Sequence, residues 1–200
     1  MSSKNRLDIM VDIETLGIDI DSTIIQLAAV AFDINTGEFK EFFNEYANID
    51  KNKEVKVNGS TLKWWIKTNP MLLSEILTKQ DQSSEVVIEK FYNWIKDLQK
   101  TYSIYIWGNG IGFDLSMIKH AILELGLSYP IGFRNERDVR TILELASIKS
   151  GKTEKDIRDT VKLEGVAHDA FYDCKYQINY VSRCFKYLTK GDKNENNAQD

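Results

Sequence analysis

The sequence predicts one α/β domain, and the order of its apolar segments is the main reason. Two strand-like runs, at 7–13 and 23–32, open the chain, and the second is almost continuously apolar, as is typical of a strand covered on both faces. After residue 58, segments with the helical spacing of apolar residues alternate with further strand-like runs. A chain of 200 residues fits one domain and can bury roughly 70% of the surface that its unfolded form exposes.

The other elements follow from turn residues, helix caps and periodicity. A turn at 33–37 indicates that the second and third strands form a hairpin. The further strands are predicted at 38–46, 102–107 and 131–133. The predicted helices are two short ones after Asn58 divided at Pro70, one that begins at Ser83, and others at 115–125, 138–148 and 170–188, with a loop and a short helix in 149–164. The domain is expected to span 7–189, between a flexible tail at 1–6 and a polar, disordered tail at 190–200.

The net charge and the cysteines limit which ligands and which cellular location the sequence favours. The net charge of -4 provides no overall basic field, so a polyanionic ligand requires local cations or a bound metal. Cys174 and Cys184 lie on one predicted helix, about 15 Å apart, which is too far for a disulfide. No segment resembles a signal peptide or reaches the roughly 18 apolar residues of a membrane span. We therefore expect no membrane partner and a reducing, cytoplasmic location.

Two acidic residues end the first apolar strand. Asp12 and Glu14 are two apart in a strand, so both side chains point to the same face of the sheet. Like charges that leave water together must raise a pKa, find a positive partner or bind a metal. The third option requires further acids, and Asp114 and Asp173 are the candidates. The alternative for the pair alone is a solvated strand end.

The later acids are also placed where side chains leave packed layers. Asp114 follows the fourth strand and a glycine-rich turn, at the start of a helix. His168 and Asp173 are five residues apart, about 140° around a helix axis, so both cannot face one ligand from a regular helix. We therefore expect His168 in the lead-in after Gly165 and Asp173 one turn into the last helix.

Three segments together resemble the exonuclease motifs of the DEDDh branch of the DnaQ-like 3′-to-5′ exonucleases. These segments are 12–17, 108–114 and 168–173, and their order and spacing match that family. Softer similarities to the T-even phage DNA exonuclease A group lie at 60–65, 135–141 and 165–169. The resemblance covers about residues 7 to 185.

The resemblance implies an RNase H-like fold, with a five-stranded mixed sheet flanked by helices, and hydrolysis of phosphodiesters from a 3′ end. By position, the four acids would hold two Mg²⁺ or Mn²⁺ ions, and His168 would be the general base. Chemistry supports these roles, because hard divalent cations prefer carboxylate oxygens and an imidazole can exchange a proton near neutral pH. The four acids are Asp12, Glu14, Asp114 and Asp173.

The same resemblance suggests substrate contacts beyond the acids. The backbone at Thr15 and Leu16 would contact the terminal nucleotide, and Leu16 would pack on its base. Arg137 and Arg140 could grip a phosphate from one helix face, whereas the alternative is that Arg140 pairs with Glu136. The remaining candidate contacts are Gly17, Asn109, Phe113 and Trp65. Trp64 and Trp65 point about 100° apart on a helix, so one is expected in the core and the other exposed, where it could stack on a base.

The sequence thus predicts a metal-dependent 3′-to-5′ exonuclease acting on single-stranded DNA ends. The preference for DNA rests on the phage-group likeness alone, and an exoribonuclease that trims RNA 3′ ends is the alternative. A second alternative is a catalytically silent nucleic-acid-binding module or a proofreading partner. Loss of a metal-binding carboxylate would favour it, but this sequence keeps all four. A homodimer is one candidate assembly.

Overall fold

The fold is described here from a computed structural model, which describes residues 4–190. The first strand already includes Asn5 and Arg6, so the prediction of a flexible tail through residue 6 is wrong for these two residues. Both pair with the fourth strand, at Tyr102 and Ser103. The rest of the predicted C-terminal tail, at 191–200, lies outside the described residues.

The centre of the domain is a five-stranded mixed sheet, as predicted. Its strands are β1 (Asn5–Thr15), β2 (Ile24–Phe32), β3 (Phe39–Tyr46), β4 (Tyr102–Gly108) and β5 (Glu136–Asp138). Their spatial order is β3-β2-β1-β4-β5. The β1–β2 and β2–β3 pairs are antiparallel, whereas β4 runs parallel to both β1 and β5. The predicted hairpin of the second and third strands is confirmed.

Within residues 4–190, seven α-helices surround the sheet, and two of them begin at caps that the sequence predicted, Asn58 and Ser83. They are α1 (Gly59–Thr68), α2 (Pro70–Thr78), α3 (Ser84–Thr101), α4 (Asp114–Glu124), α5 (Val139–Ser150), α6 (Glu154–Arg158) and α7 (Ala170–Thr189). Two single 3₁₀ turns lie at Ile49–Lys51 and Phe133–Asn135. The side chains of Asn58, Asn69 and Ser83 accept N–H groups of the first turns of α1, α2 and α3. Pro70 starts α2, where its missing N–H has no cost.

The fifth strand is the one element that was predicted in the wrong place. The apolar segment 131–133 is not a strand. Ile131 packs in the core, whereas Phe133 begins a 3₁₀ turn and is 82% exposed. The actual β5 has only three residues, all polar, and it pairs with Ile106–Gly108 of β4. Its strand conformation comes from that pairing, since its own sequence has no strand-like apolar pattern.

The alternation of β1 decides where the acids point. Val11 packs in a core cluster under α3 and α4, whereas Met10 packs in a second cluster under α5 and α7. Residues two apart in a strand share a face, so Asp12 and Glu14 continue the Met10 face towards α7. A third cluster, which contains Leu16 and Trp65, joins α1 and α2 to the end of the sheet.

Both cysteines of the chain lie in the last helix. Cys174 and Cys184 are both free and buried on α7, as the predicted spacing requires. Within residues 4–190, no helix combines the length and the apolar character needed to span a bilayer.

Candidate active site

One cleft brings the four predicted acids and His168 together. It has a volume of about 360 Å³ and opens at the end of β1, between the start of α4 and the first turns of α7. Its walls also include three of the predicted substrate contacts, Asn109, Phe113 and Arg140. The sheet register shifts between Glu14 and Thr15, so the strand becomes irregular directly after its second acid.

Asp114 is held at the start of α4 by the turn that follows β4. The residue is 5% exposed, and the backbone N–H groups of Ile13 and Asn109 lower the pKa of its carboxyl group against the larger effect of burial. Gly108 lies directly beneath it, since a Cβ there would be 3.5 Å from Asp114 Oδ2. The turn is tied to α5 because the N–H of Ile111 donates to Asp138 Oδ2 at 3.0 Å. This carboxylate is therefore positioned by the backbone.

His168 and Asp173 meet in the arrangement that their spacing requires. His168 is exposed in the turn before α7, and Asp173 lies in the first turn of that helix. The backbone N–H of His168 donates to Asp173 Oδ2 at 3.1 Å, and His168 has a left-handed φ of 67°. Ligand atoms of Glu14, His168 and Asp173 all lie within 4.8 Å of one another. The imidazole therefore reaches the same point as two of the acids.

A buried glutamine, which the sequence did not reveal, fixes the start of α7 to the sheet. Gln26 of β2 is fully buried; its Oε1 accepts the N–H of Ala170 at 3.2 Å, and its Nε2 donates to Asp169 Oδ1 at 3.2 Å. Asp169 is itself the N-cap of α7 and accepts the N–H of Phe171. Gln26 also lies opposite Glu14 in the β1–β2 register. The segment with His168 and the strand with the acids thus share one anchor.

The clustering of acids opposes their ionisation. Burial, followed by the charges of Asp114 and Asp173, raises the pKa of Asp12 well above its ordinary value. Burial and the neighbouring Asp12 raise the pKa of Glu14 in the same way. Burial raises the pKa of Asp114 to about 7 and also raises that of Asp173. The arginines that line the cleft therefore do not offset the burial and mutual repulsion of the four carboxyl groups.

This donor set fits hard divalent cations. Oxygen ligands from carboxylates are those that Mg²⁺ and Mn²⁺ prefer, and two such ions would balance the charge of four carboxylates. The cleft contains four carboxylates and one imidazole but no thiol, since both cysteines are buried elsewhere in α7. Asp12, Glu14, Asp114 and Asp173 are accordingly the residues that would hold the metal.

Metal binding is expected to stabilise the fold increasingly as the pH rises. Between the ordinary carboxyl pKa and about 7, the folded metal-free chain binds more protons than the unfolded chain, so its stability falls with rising pH. Cations compete with these protons, and the stabilisation that they provide should therefore grow over the same range. Thermal unfolding with Mn²⁺ or with EDTA, from about pH 5 to about pH 8, measures this difference. A melting-temperature difference that shrinks with rising pH would contradict it.

Besides Ile13, which lies between the two acids of β1, four further residues line the cleft and were absent from the sequence prediction. Tyr176, Gln177 and Tyr180 follow Asp173 by three, four and seven residues, so they lie on the same face of α7. That periodicity could have identified them. Gln177 Nε2 donates to Asp12 Oδ1 at 3.0 Å, which partly counters the rise in the pKa of Asp12. Arg158 reaches the cleft from α6, and no sequence signal linked it to the acids.

The predicted nucleotide contacts at Thr15, Leu16 and Gly17 fall on residues that are packed inside the protein. Leu16 is 2% exposed, and its N–H and C=O are both paired, with the backbone of Thr23 and Asn58. Thr15 is buried, and its hydroxyl donates to the carbonyl of Gly17 at 2.6 Å. A Cβ at Gly17 would lie 2.3 Å from Ser22 Oγ, so this glycine permits close packing of the loop. In this structure Leu16 has no free face for a base.

The two adjacent tryptophans divide as expected into one buried and one exposed side chain, and the one predicted as a substrate contact, Trp65, is the buried one. Trp65 is 1% exposed, and its indole N–H donates to the carbonyl of Thr15 at 2.9 Å. It is therefore a core residue, and a base cannot stack on it. Trp64 is the exposed member of the pair.

The two predicted arginines also separate. Arg137 belongs to β5, stacks 4.7 Å from the ring centroid of Tyr105 and donates to the carbonyls of Arg134 and Glu136. It does not line the cleft, so the prediction of a shared helix face with Arg140 is wrong. Arg140 does line the cleft, and no ion pair joins it to Glu136, although both belong to the described residues. Its charge lowers the pKa of nearby Asp114, against the larger effect of burial.

Comparison with known proteins places this site in a family. The family model described as "3'-5' exoribonuclease Rv2179c-like domain" matches residues 7–185. A protein named exodeoxyribonuclease, from Enterobacteria phage T4, is 26% identical over 209 residues, covering 90% of this chain and 89% of its own length.

Solved structures share the fold at lower identity. Cell-death related nuclease 4 (CRN-4) has a TM-score of 0.65 and 17% identity over 92% of this chain, which spans only 64% of that nuclease. The nuclease domain of 3'hExo, a DEDDh family member bound to rAMP, has a TM-score of 0.61 and 15% identity, covering 92% of this chain and 94% of its own. The chain therefore belongs to the Rv2179c-like family of 3′-5′ exoribonuclease domains and is a 3′-5′ exonuclease with the DnaQ-like fold.

Proposed function

We propose that this exonuclease hydrolyses single-stranded DNA from its 3′ end, with two divalent cations and with His168 as general base. The observation that carries the proposal is the single cleft in which Asp12, Glu14, Asp114, Asp173 and His168 converge. Two Mg²⁺ or Mn²⁺ ions, when bound, supply positive charge that neutralises the scissile phosphate and the leaving 3′ oxygen.

The chain's own groups provide the remaining parts of the reaction. His168 is exposed at the mouth of the cleft, where its imidazole can take a proton from an attacking water. Asp173 accepts the backbone N–H of His168, and this hydrogen bond fixes the position of His168 relative to the acids. Arg140 and Arg158 line the same cleft, and their guanidinium groups can pair with phosphates of the incoming strand. The bound nucleic acid would thus lie between these arginines and the four acids.

The choice of DNA is supported by the phage exodeoxyribonuclease, which matches this chain over nearly its full length. The competing choice is RNA, which is favoured by the description of the family model and by the rAMP bound to the 3'hExo domain. Discrimination between the two depends on whether a 2′-hydroxyl finds a hydrogen-bond partner or a clash. The free, buried thiols of α7 support a reducing, cytoplasmic setting for either substrate.

Matched oligonucleotides decide between these substrates. Single-stranded DNA and RNA of one sequence, labelled at the 5′ end, are incubated separately with the purified chain in Mg²⁺. We expect a ladder of products shortened from the 3′ end for DNA, and slower shortening for RNA. Rapid trimming of RNA with intact DNA would overturn the DNA proposal. Absence of mononucleotide release from both, with binding retained, would instead support a silent binding module.

A further inference from the structure

The exposed Trp64 contacts His168, the proposed general base. The indole of Trp64 and the imidazole of His168 meet edge to face, with centroids 4.9 Å apart and planes at 87°. Trp64 is 40% exposed, in a chain whose other tryptophan on the same helix, Trp65, is buried. Edge-to-face contacts between rings are favourable beyond the area that they bury. The contact therefore restrains both rings.

Trp64 itself is fixed to the strand that carries the acids. Its neighbour Trp65 donates to the carbonyl of Thr15, one residue after Glu14, and packs edge to face on Trp64 at 5.1 Å. The start of α1 is also anchored there, since the N–H of Asn58 donates to the carbonyl of Leu16 at 2.8 Å. The position of the Trp64 indole is thus set relative to the acids by two hydrogen bonds.

His168 has few other restraints on its side chain. Its backbone is held by Asp173, but within residues 4–190 its imidazole makes no hydrogen bond. Exposed side chains without partners change rotamer on the picosecond to nanosecond scale. A ring contact that favours one rotamer raises the fraction of molecules in which the imidazole faces the cleft. Trp64 is the residue placed to provide that contact.

We propose that Trp64 is a positioning residue that holds the imidazole of His168 in its working orientation above the acids. The inference rests on the proposed role of His168 as the general base, and it gives α1 a different part from the base stacking that the sequence suggested for one of its tryptophans. Trp64 acts through His168 and so affects the rate of the chemical step. A tryptophan that instead stacked on a substrate base would mainly affect substrate affinity.

The contact can be observed without any assay of activity. The chain has only two histidines, so a His168→Ala variant assigns the imidazole C–H proton signals of the other, His120, and of His168 by difference. In the metal-free protein, the ring current of Trp64 should displace the His168 signals. Trp64→Ala should move them towards the positions of an unrestrained histidine, whereas Ile66→Ala, on the same helix, should leave them unchanged. His168 signals that do not respond to Trp64→Ala would overturn the inference.

A double-mutant cycle then tests the effect on the rate. Trp64→Ala should lower kcat about threefold to tenfold, the factor that one aromatic pair can contribute to the population of a rotamer. Trp64→Phe should restore most of the rate because it keeps an aromatic ring, and Ile66→Ala should leave kcat unchanged. In the His168→Ala background, Trp64→Ala should have no further effect on kcat.

The outcomes separate this inference from the proposed function. If Trp64→Ala lowers kcat by the same factor with and without His168, or raises KM alone, Trp64 does not act through the base and the inference is wrong. If His168→Ala leaves the rate of the otherwise unchanged enzyme intact, the proposed role of His168 fails first. The ring-current measurement reports on the contact in either case, since it does not depend on turnover.

Discussion

Asp12→Asn is expected to lower kcat by at least about a thousandfold, because metal ions contribute several kcal/mol to the stabilisation of developing charge. The same variant should make the metal-free protein more stable as the pH rises above the ordinary range of a carboxyl group. The raised pKa of Asp12 shows that its charge is disfavoured by burial and by Asp114 and Asp173, and asparagine removes that charge. Asparagine also keeps the oxygen that accepts from Gln177.

Asp8→Asn is the matched control, since Asp8 is buried on the same strand and the same face. Asp8 pairs with Arg6 at 2.7 Å and accepts the indole N–H of Trp107 at 2.7 Å, so its charge has partners. Its replacement should cost about 1 to 3 kcal/mol of stability and leave the metal dependence of cleavage intact. Urea unfolding and single-turnover cleavage measure the two effects. Equal losses of activity in both variants would contradict the assignment of Asp12 as a metal ligand.

His168→Ala is expected to slow cleavage by about a hundredfold to ten-thousandfold, the usual contribution of a general base. The increase in melting temperature on adding Mn²⁺ should persist, because the four carboxylates remain. The control is His120→Ala, which changes the chain's other histidine, on α4, and this variant should cleave at the normal rate.

The proximity of His168 to the acids makes metal binding the decisive readout for this variant. Its ring nitrogen lies within 4.8 Å of ligand atoms of Glu14 and Asp173, which is close enough for a shared ion. If His168→Ala removes the Mn²⁺-dependent increase in melting temperature, His168 is a ligand and not the base. Cleavage at the normal rate would contradict both roles.

Local pattern was sufficient for most elements of the fold. The caps at Asn58, Asn69 and Ser83 and the apolar periodicity of α3 and α7 depend on residues only a few positions apart, and these elements were predicted within a few residues. β5 was missed because a three-residue polar strand is stabilised by pairing with β4 and not by its own composition. Strand formation of that kind is decided by the neighbour.

The candidate site divides in the same way. The acids and His168 were predicted because strand alternation, helix starts and motif spacing are properties of the sequence alone. Arg158, Gln26 and the burial of Leu16 were not, since each depends on segments far apart in the chain meeting at one point.

The sequence by itself determined the sheet's main strands, the pair of acids that ends β1 and the separation of His168 from Asp173. It also required that one of Trp64 and Trp65 be buried and the other exposed. Only the tertiary structure decided which one, because burial depends on the carbonyl of Thr15 that accepts the Trp65 indole. The exposed Trp64 is thereby directed at His168, a contact across more than a hundred residues that no local pattern encodes.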